Sequence, residues 1–210
     1  NGSPVNLAWA KANADAIVEA WYPGQAGGLA VGNVLSGKTN PAGRLPLTFY
    51  RSVEDLPPFG DYAMKGRTYR YFTGTPVYPF GYGLSYTSFA YASLSVRSNA
   101  DGSITVTTQV HNTGRRAGDE VAQLYLDCPR VAGAPRIALR GFQRVHLAPG
   151  ERRDLTFMLT PRDLSAVDAG GTRMVLKVDY RVPIGPGQPD TGVPTRSTPC
   201  QIDSARPIAD

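Results

Sequence analysis

The stretch "SITVTTQV", Ser103 to Val110, alternates between two kinds of side chain without a break. Successive residues of a strand point to opposite faces, so one face collects Ile104, Val106, Thr108 and Val110. This period of two predicts an antiparallel strand with one face in a core and the other towards solvent.

Similar segments follow at short intervals along the chain. "EVAQLYL", "RRDLTFML" and "MVLKVDYRV" are predicted strands, separated by the turn sequences "HNTGRRAGD", "LAPGE" and "VDAGG". Short strands at this spacing predict an all-β sandwich of immunoglobulin or fibronectin III type, assigned to residues 86–210. The late stretch "GPGQPDTGVPTRSTP" is interpreted as a long loop outside the core. The side chains predicted to lie inside are Ile104, Val106, Val110, Leu124, Leu126, Leu155, Phe157 and Leu159.

Upstream of the sandwich, residues 1–58 have a different sequence pattern. "NLAWAKANA" and "AGGLAVGNVLSG" predict helices, the second with Gly37 as its C-terminal cap, and "AIVEAWY" and "RLPLTFY" predict strands. Helix and strand in alternation indicate an α/β segment. Two strands and two helices cannot cover both faces of a parallel sheet, so this segment is expected to dock on sheet that the chain does not supply.

The two parts are joined by an aromatic linker, assigned to residues 59–85. Its end overlaps "PVYPFGYGLSYTSF", Pro76 to Phe89, which holds five aromatic rings. Rigid rings beside Gly81 and Gly83 favour tight packing between two domains. A platform for carbohydrate is the alternative interpretation.

Charge and cysteine content exclude several function classes. The net charge is +5, but the basic residues are scattered, which disfavours nucleic-acid binding. No apolar run approaches the ~20 residues of a membrane span. Cys128 and Cys200 lack metal-ligand spacing, and only His111 and His146 are available beside them. We therefore predict no metal and no cofactor, with two unrelated thiols favoured over a disulfide.

Several ordered motifs carry a family resemblance. "AWYPGQAGGLAVGNVLSGKTNPAGRLPLTFYRSVEDLPPFGDY", "GRTYRYF" and "YPFGYGLSYTSF" follow one another in an order that resembles glycoside hydrolase family 3. "HNTGRRAGDEVAQLYL", "LRGFQRVHLAPGE" and "DYRVPIGPGQPDTG" resemble that family's C-terminal fibronectin-like domain. The resemblance runs from Asn1 to about Ile202.

The resemblance implies an architecture of (β/α)8 barrel, α/β sandwich and fibronectin-like sandwich, of which this chain is the last third. It implies a retaining, exo-acting β-glucosidase or β-xylosidase that acts on β-linked oligosaccharides or aryl glycosides. The partner it implies is the N-terminal barrel-bearing part of the same enzyme, on one precursor or as a separate chain. A periplasmic or secreted location is favoured. The alternative is a non-catalytic carbohydrate-binding or scaffolding module.

No pair of catalytic carboxylates is recognisable in the first 85 residues. A retaining glycosidase needs two carboxyl groups about 5–5.5 Å apart. The acidic residues here lie in turns or interrupt a strand, and we interpret them as surface or capping charges: Asp15, Glu19, Glu54, Asp55 and Asp61. The resemblance implies a nucleophile on the barrel and an acid/base upstream of Asn1, so no catalytic residue is assigned.

Three residues are predicted to contact substrate. Gln25 lies in "YPGQAGG", which follows a predicted strand and opens a helix, the place where open α/β sheets bind ligands. Arg67 and Tyr69 lie in "GRTYRYF", interpreted as extended, with Arg67, Tyr69 and Tyr71 on one face. A tight turn for Gln25 and interdomain packing for the other two are the alternatives.

Overall fold

The computed structural model describes residues 1–127, 133–167 and 170–208. Three short helices and ten strands form in these ranges, with a 3-10 turn at Val53–Asp55. The helices are α1 (Ala8–Asn13), α2 (Gly27–Leu35) and α3 (Thr68–Tyr71). The strands are β1 (Phe89–Ser98), β2 (Ile104–Asn112), β3 (Gly118–Asp127), β4 (Ile137–Leu147), β5 (Arg152–Leu159), β6 (Ser165–Val167), β7 (Arg173–Val175), β8 (Asp179–Gly185), β9 (Arg196–Gln201) and β10 (Arg206–Pro207).

Two antiparallel sheets face each other across one apolar core. One sheet has the order β1-β2-β5 and the other β4-β3-β8-β9, while β10-β7-β6 form a small third sheet. Along β2 every second residue from Ile104 to Asn112 is buried, as the alternation predicts. The predicted fold class, an α/β segment followed by an all-β sandwich, is confirmed. All eight side chains predicted to lie inside are buried: Ile104, Val106, Val110, Leu124, Leu126, Leu155, Phe157 and Leu159.

Two sequence interpretations within the sandwich are wrong. "MVLKVDYRV" is not one strand, because the chain turns at Leu176, whose carbonyl accepts a hydrogen bond from the Val178 amide, and so separates β7 from β8. The stretch interpreted as a long loop is a loop only over residues 186–195, and its last four residues begin β9, which pairs with β8 and buries Cys200. Whether those residues form a strand depends on pairing with β8 and not on their local apolar content.

Cys200 is a free thiol within the described part of the chain, and burial raises its pKa. Cys128 lies outside the described residues, as do Asp168 and Ala169 of the predicted "VDAGG" turn. None of the helices in the described ranges reaches the length and apolarity that a membrane span requires.

Residues 1–85, here called the arm, form the predicted helices but not the predicted strands. Gly37, just after α2, has φ +73°, the left-handed conformation expected of a C-terminal cap. "AIVEAWY" and "RLPLTFY" are not strands of any sheet, and one isolated bridge joins Phe49 to Tyr78. "RLPLTFY" meets the linker through backbone hydrogen bonds of Leu45 and Phe49 to residues 77–82, too few to form a strand. A strand exists only through a continuous row of hydrogen bonds to a neighbour, and the described residues supply no such row to either segment.

The arm leaves large apolar side chains in solvent. On α2, the apolar side chains of Leu29 and Leu35 are exposed. An amphipathic helix buries its apolar face when its partner is present. We call the following residues the exposed apolar set: Trp9, Tyr22, Leu29, Leu35 and Val53.

Candidate functional site at the joint of arm and sandwich

A buried ion pair joins the arm to the sandwich. Arg44 Nη2 lies 2.7 Å from Glu120 Oε2, and the two side chains are only 8% and 1% exposed. Glu120 belongs to the residues of β3 that point inwards, together with Ala122 and Leu124. The Tyr91 hydroxyl, from the facing sheet, donates to Glu120 Oε1 at 2.7 Å. Three distant segments therefore meet at one carboxylate.

The surroundings of this carboxylate shift the pKa values of Glu120 and Tyr91. Burial raises the pKa of Glu120, while the Arg44 guanidinium and the hydrogen bond from Tyr91 oppose that rise. Burial raises the pKa of Tyr91 well above its ordinary value, and the neighbouring Glu120 adds to the effect. The phenol therefore remains a hydrogen-bond donor at any physiological pH.

The outer face of β3 carries a second set of contacts to the arm. Gln123 Nε2 donates to the carbonyl oxygens of Gly81 at 3.0 Å and of Pro186 at 2.8 Å, and Gln123 Oε1 accepts from the Tyr125 hydroxyl at 2.7 Å. Gly81 has φ +77°, and a Cβ at this position would collide with Gln123 Oε1. Arg44 Nε also donates to the Pro186 carbonyl, so the loop after β8 closes the joint.

The aromatic rings of the linker take part in this packing. Tyr69 stacks on Phe80 with ring centroids 4.0 Å apart and meets Tyr125 edge-on at 6.2 Å. Its hydroxyl accepts a hydrogen bond from the Leu139 amide of β4 at 3.0 Å. The Arg70 carbonyl accepts from the Arg136 amide next to the same strand. Interdomain packing therefore accounts for Tyr69 and Phe80.

The predicted substrate residues lie in different surroundings. Gln25 is exposed in the turn before α2, at the place that the sequence predicts. The extended interpretation of "GRTYRYF" is wrong, because Thr68–Tyr71 form one helical turn. Tertiary contacts override the alternation there, since Tyr69 is held by β4. No hydrogen bond or ring contact joins Gln25 to Arg67 or Tyr69, all three being described residues, and their contact with substrate stays a prediction.

Arg67 fixes a loop that presents two aromatic rings. Its guanidinium donates to the carbonyl oxygens of Pro58, Asp61 and Ala63. On that loop, Phe59 is 97% exposed and Tyr62 is 91% exposed. Sequence reasoning missed both rings because their exposure depends on a fold of the loop that its composition does not reveal.

The acidic residues of the arm cap turns. Glu19 Oε1 accepts from the Trp21 amide, Asp55 Oδ2 from the Arg51 amide, and Asp61 Oδ1 from the Ala63 amide. Asp15 and Glu54 are exposed. In the ranges 1–127, 133–167 and 170–208, no group of three His, Cys, Asp or Glu side chains is placed to hold a metal ion.

A groove of about 400 Å³ opens between the arm and the sandwich. Lys11, Arg44, Tyr78 and Tyr82 line it from the arm side, with Glu120 and the loop 191–194 opposite. One signal in the sequence pointed to it. Glu120 falls on the apolar period of its strand, where a charge requires a buried partner.

These features define a class of protein: a fibronectin-type sandwich with an α/β segment docked on it, whose own apolar residues remain in part uncovered. By sequence, the chain is similar to the C-terminal part of glycoside hydrolase family 3 enzymes. Residues 1–86 match the glycosyl hydrolase family 3 C-terminal domain, and residues 120–188 match the fibronectin type III-like domain.

Relatives and solved structures agree with this assignment. The chain is 43% identical over 178 residues to a xylan 1,4-beta-xylosidase of Xylanibacter ruminicola, covering 84% of this chain and 21% of the relative. It is 40% identical over 183 residues to a periplasmic beta-glucosidase of Salmonella typhimurium, covering 80% of this chain and 24% of the relative. Beta-glucosidase 3B from Thermotoga neapolitana superposes with a TM-score of 0.87 at 31% identity, covering 99% of this chain and 31% of that one.

The chain thus spans between a fifth and a third of the length of these proteins. Its matched region is the C-terminal part of family 3 enzymes.

Proposed function

We propose that the chain is the C-terminal part of a retaining, exo-acting β-glycosidase that removes terminal β-D-glucosyl or β-D-xylosyl residues. In this proposal residues 1–58 complete an α/β sandwich domain, 59–85 form the linker and 86–210 the fibronectin-like domain. The observation that carries it is the match of both family domains, in order, along one chain.

The acidic residues of the arm indicate which part of the enzyme supplies the catalytic carboxylates. Its acidic groups cap turns or lie in solvent, whereas a retaining site needs two carboxyl groups about 5–5.5 Å apart, one of them with a raised pKa. The catalytic pair is therefore supplied by the barrel-bearing part of the same enzyme. The chain contributes a rigid joint, and in this proposal Gln25, Arg67 and Tyr69 are its substrate contacts.

The exposed apolar set supports the proposal that the arm binds another part of the enzyme. Contiguous apolar surface marks an interaction site, and all five side chains of this set lie between residues 9 and 53. Here they belong to the arm, the segment that matches a domain found in much longer relatives. Covering them gains about 25 cal/mol for each Å² removed from water.

The test compares the chain alone with the chain assembled with its barrel-bearing part. We expect hydrolysis of 4-nitrophenyl β-D-glucopyranoside or β-D-xylopyranoside by the assembly and none by the chain alone. Proton NMR of the first product should show the β anomer, because a glycosyl-enzyme intermediate retains configuration.

Glu54→Gln and Asp55→Asn are the control variants, and the assembly should keep its rate with either. Turnover by the chain alone that disappears in these variants would contradict the proposal. An inactive assembly that binds insoluble glucan or xylan would instead identify a carbohydrate-binding module.

A further inference from the structure

The groove at the joint has the size of a small-molecule site. At about 400 Å³ it lies within the range of about 300–1,000 Å³ usual for ligand pockets. Its walls come from α1, from the linker, from β3 and from the loop 191–194. A ligand there would contact both domains, so the site exists only while the arm is docked.

Both positive charges of the groove retain hydrogen-bonding capacity. Lys11 Nζ donates to the Val77 carbonyl at 2.7 Å and lies 4.8 Å from the centroid of the Tyr78 ring. An ammonium group has three N–H donors and a guanidinium five. In the described part of the chain, Lys11 uses one of its donors, in the bond to Val77. Arg44 uses three, which bond to Glu120 and to the carbonyls of Gly43 and Pro186.

The arrangement of charges selects the class of ligand. An anion would meet Lys11 and Arg44 but would also approach the Glu120 carboxylate. A cation would be attracted by Glu120 and repelled by both basic groups. A neutral hydroxyl avoids both conflicts, because it can accept from a cationic donor and donate to a carboxylate oxygen.

The aromatic wall narrows the class further. Tyr82 packs against Tyr78 with ring centroids 5.2 Å apart and ring planes inclined by 32°. Flat rings next to hydroxyl-binding groups suit a molecule with an apolar face and a polar edge. A pyranose ring has this character, with axial C–H groups on its faces and hydroxyls around its edge.

We propose that the joint groove binds a neutral pyranose sugar, with Lys11 and Arg44 donating to its hydroxyls, the buried Glu120 carboxylate disfavouring an anion, and Tyr82 against its C–H face. Sugar binding in the groove does not depend on the chain taking part in hydrolysis. The bound sugar would hold the arm and the loop 191–194 against the sandwich.

Hydrogen exchange followed by mass spectrometry on the full 210-residue chain tests the proposal. D-glucose, D-xylose, inorganic phosphate and the open-chain polyol sorbitol serve as probes. A sugar at twice its Kd stabilises the closed groove enough to slow exchange through opening about threefold. We expect this slowing in peptides from 77–89 and 186–195 with either pyranose, and no slowing with phosphate or sorbitol.

Two variants localise the effect. Lys11→Met keeps the aliphatic stem and removes the ammonium group, and Val193→Trp fills the groove from the loop. Both should abolish the protection, whereas Lys65→Met, an exposed lysine outside the groove, should keep it. Protection by phosphate or sorbitol equal to that by the sugars, no protection by either sugar, or protection that survives Val193→Trp would overturn the proposal.

Discussion

Glu120 sits on the inward face of β3, where Ala122 and Leu124 provide apolar packing. A carboxylate in that position is tolerated because Arg44 and Tyr91 both donate to it. The cost of burying two charges is offset only while both partners are present. The stability of the joint is thus concentrated in one pair.

We expect Glu120→Ala to lower the free energy of unfolding by about 3–5 kcal/mol, because it leaves the Arg44 guanidinium buried without a counter-charge. The double variant Arg44→Met with Glu120→Leu should recover most of that loss, since apolar replacements of a buried pair are close to neutral. Urea unfolding measures both variants. Exposed Glu54→Ala is the control, and a loss no greater than its loss would contradict the role of Glu120.

A surface cluster predicts a pH dependence. Asp119 accepts from Arg144 Nε at 2.7 Å and lies 2.6 Å from His146 Nδ1. These contacts hold the pKa of Asp119 below its ordinary value of 3.8. A carboxyl with a lowered folded-state pKa stabilises the fold fully above its unfolded pKa, and this contribution is lost as pH falls through the folded pKa.

Asp119→Asn should therefore destabilise the chain at about pH 6, and do so less at about pH 3, below the unfolded-state pKa of the carboxyl. The difference at the higher pH should be about 0.5 kcal/mol, because water screens the cluster. Urea midpoints of wild type and variant at the two pH values measure it. An equal destabilisation at both would show that the cluster does not act through this titration.

At the scale of elements, the sequence predicts the strands whose own residues alternate between apolar and polar side chains. The alternation is strict in β2 and holds from Asp154 to Leu159 in β5, so both strands and their core residues follow from it. "AIVEAWY" and "RLPLTFY" have strand composition, but composition cannot supply a paired strand, and a single bridge from Phe49 to Tyr78 is all that forms. "GRTYRYF" becomes a helical turn because Tyr69 is held by the Leu139 amide, a contact 70 residues away.

The same limit applies to the joint. A charge on the apolar period of β3 could be recognised from the sequence, but its partner Arg44 lies 76 residues away and nothing local identifies it. The exposed rings of Phe59 and Tyr62 likewise depend on how Arg67 folds their loop. The family, in contrast, could be recognised directly, since motifs in a fixed order do not depend on geometry.

The contact between the linker and β3 rests on Gly81. Gly81→Ala should destabilise the joint more than Gly150→Ala, although both glycines have φ +77°. At Gly150 nothing lies within 4 Å of an added Cβ, so that variant loses only about 1–2 kcal/mol to the left-handed conformation. At Gly81 the Cβ also displaces Gln123. Hydrogen exchange should accelerate in peptides from 69–81, and equal effects of the two variants would contradict this contact.

At the scale of the whole molecule, the sandwich encloses its own core, whereas the arm leaves large apolar side chains in solvent. The sandwich buries its core between two sheets, and the linker covers part of its outer face. The arm exposes Leu29 and Leu35 of α2, and its two segments of strand composition belong to no sheet, one of them being bridged only to the linker. Such an arm is stable as one side of a larger domain.

The central claim is that the arm docks on the rest of a family 3 glycosidase. Leu29→Asp and Phe142→Asp test it as a matched pair, because the two side chains are 69% and 66% exposed, one on α2 and the other on the sandwich. An acidic residue near the start of α2 is compatible with the helix, so the first variant still folds. Co-purification with the barrel-bearing part measures docking. We predict that Leu29→Asp loses the barrel-bearing part and Phe142→Asp retains it, whereas retention by Leu29→Asp at the wild-type level would contradict the account.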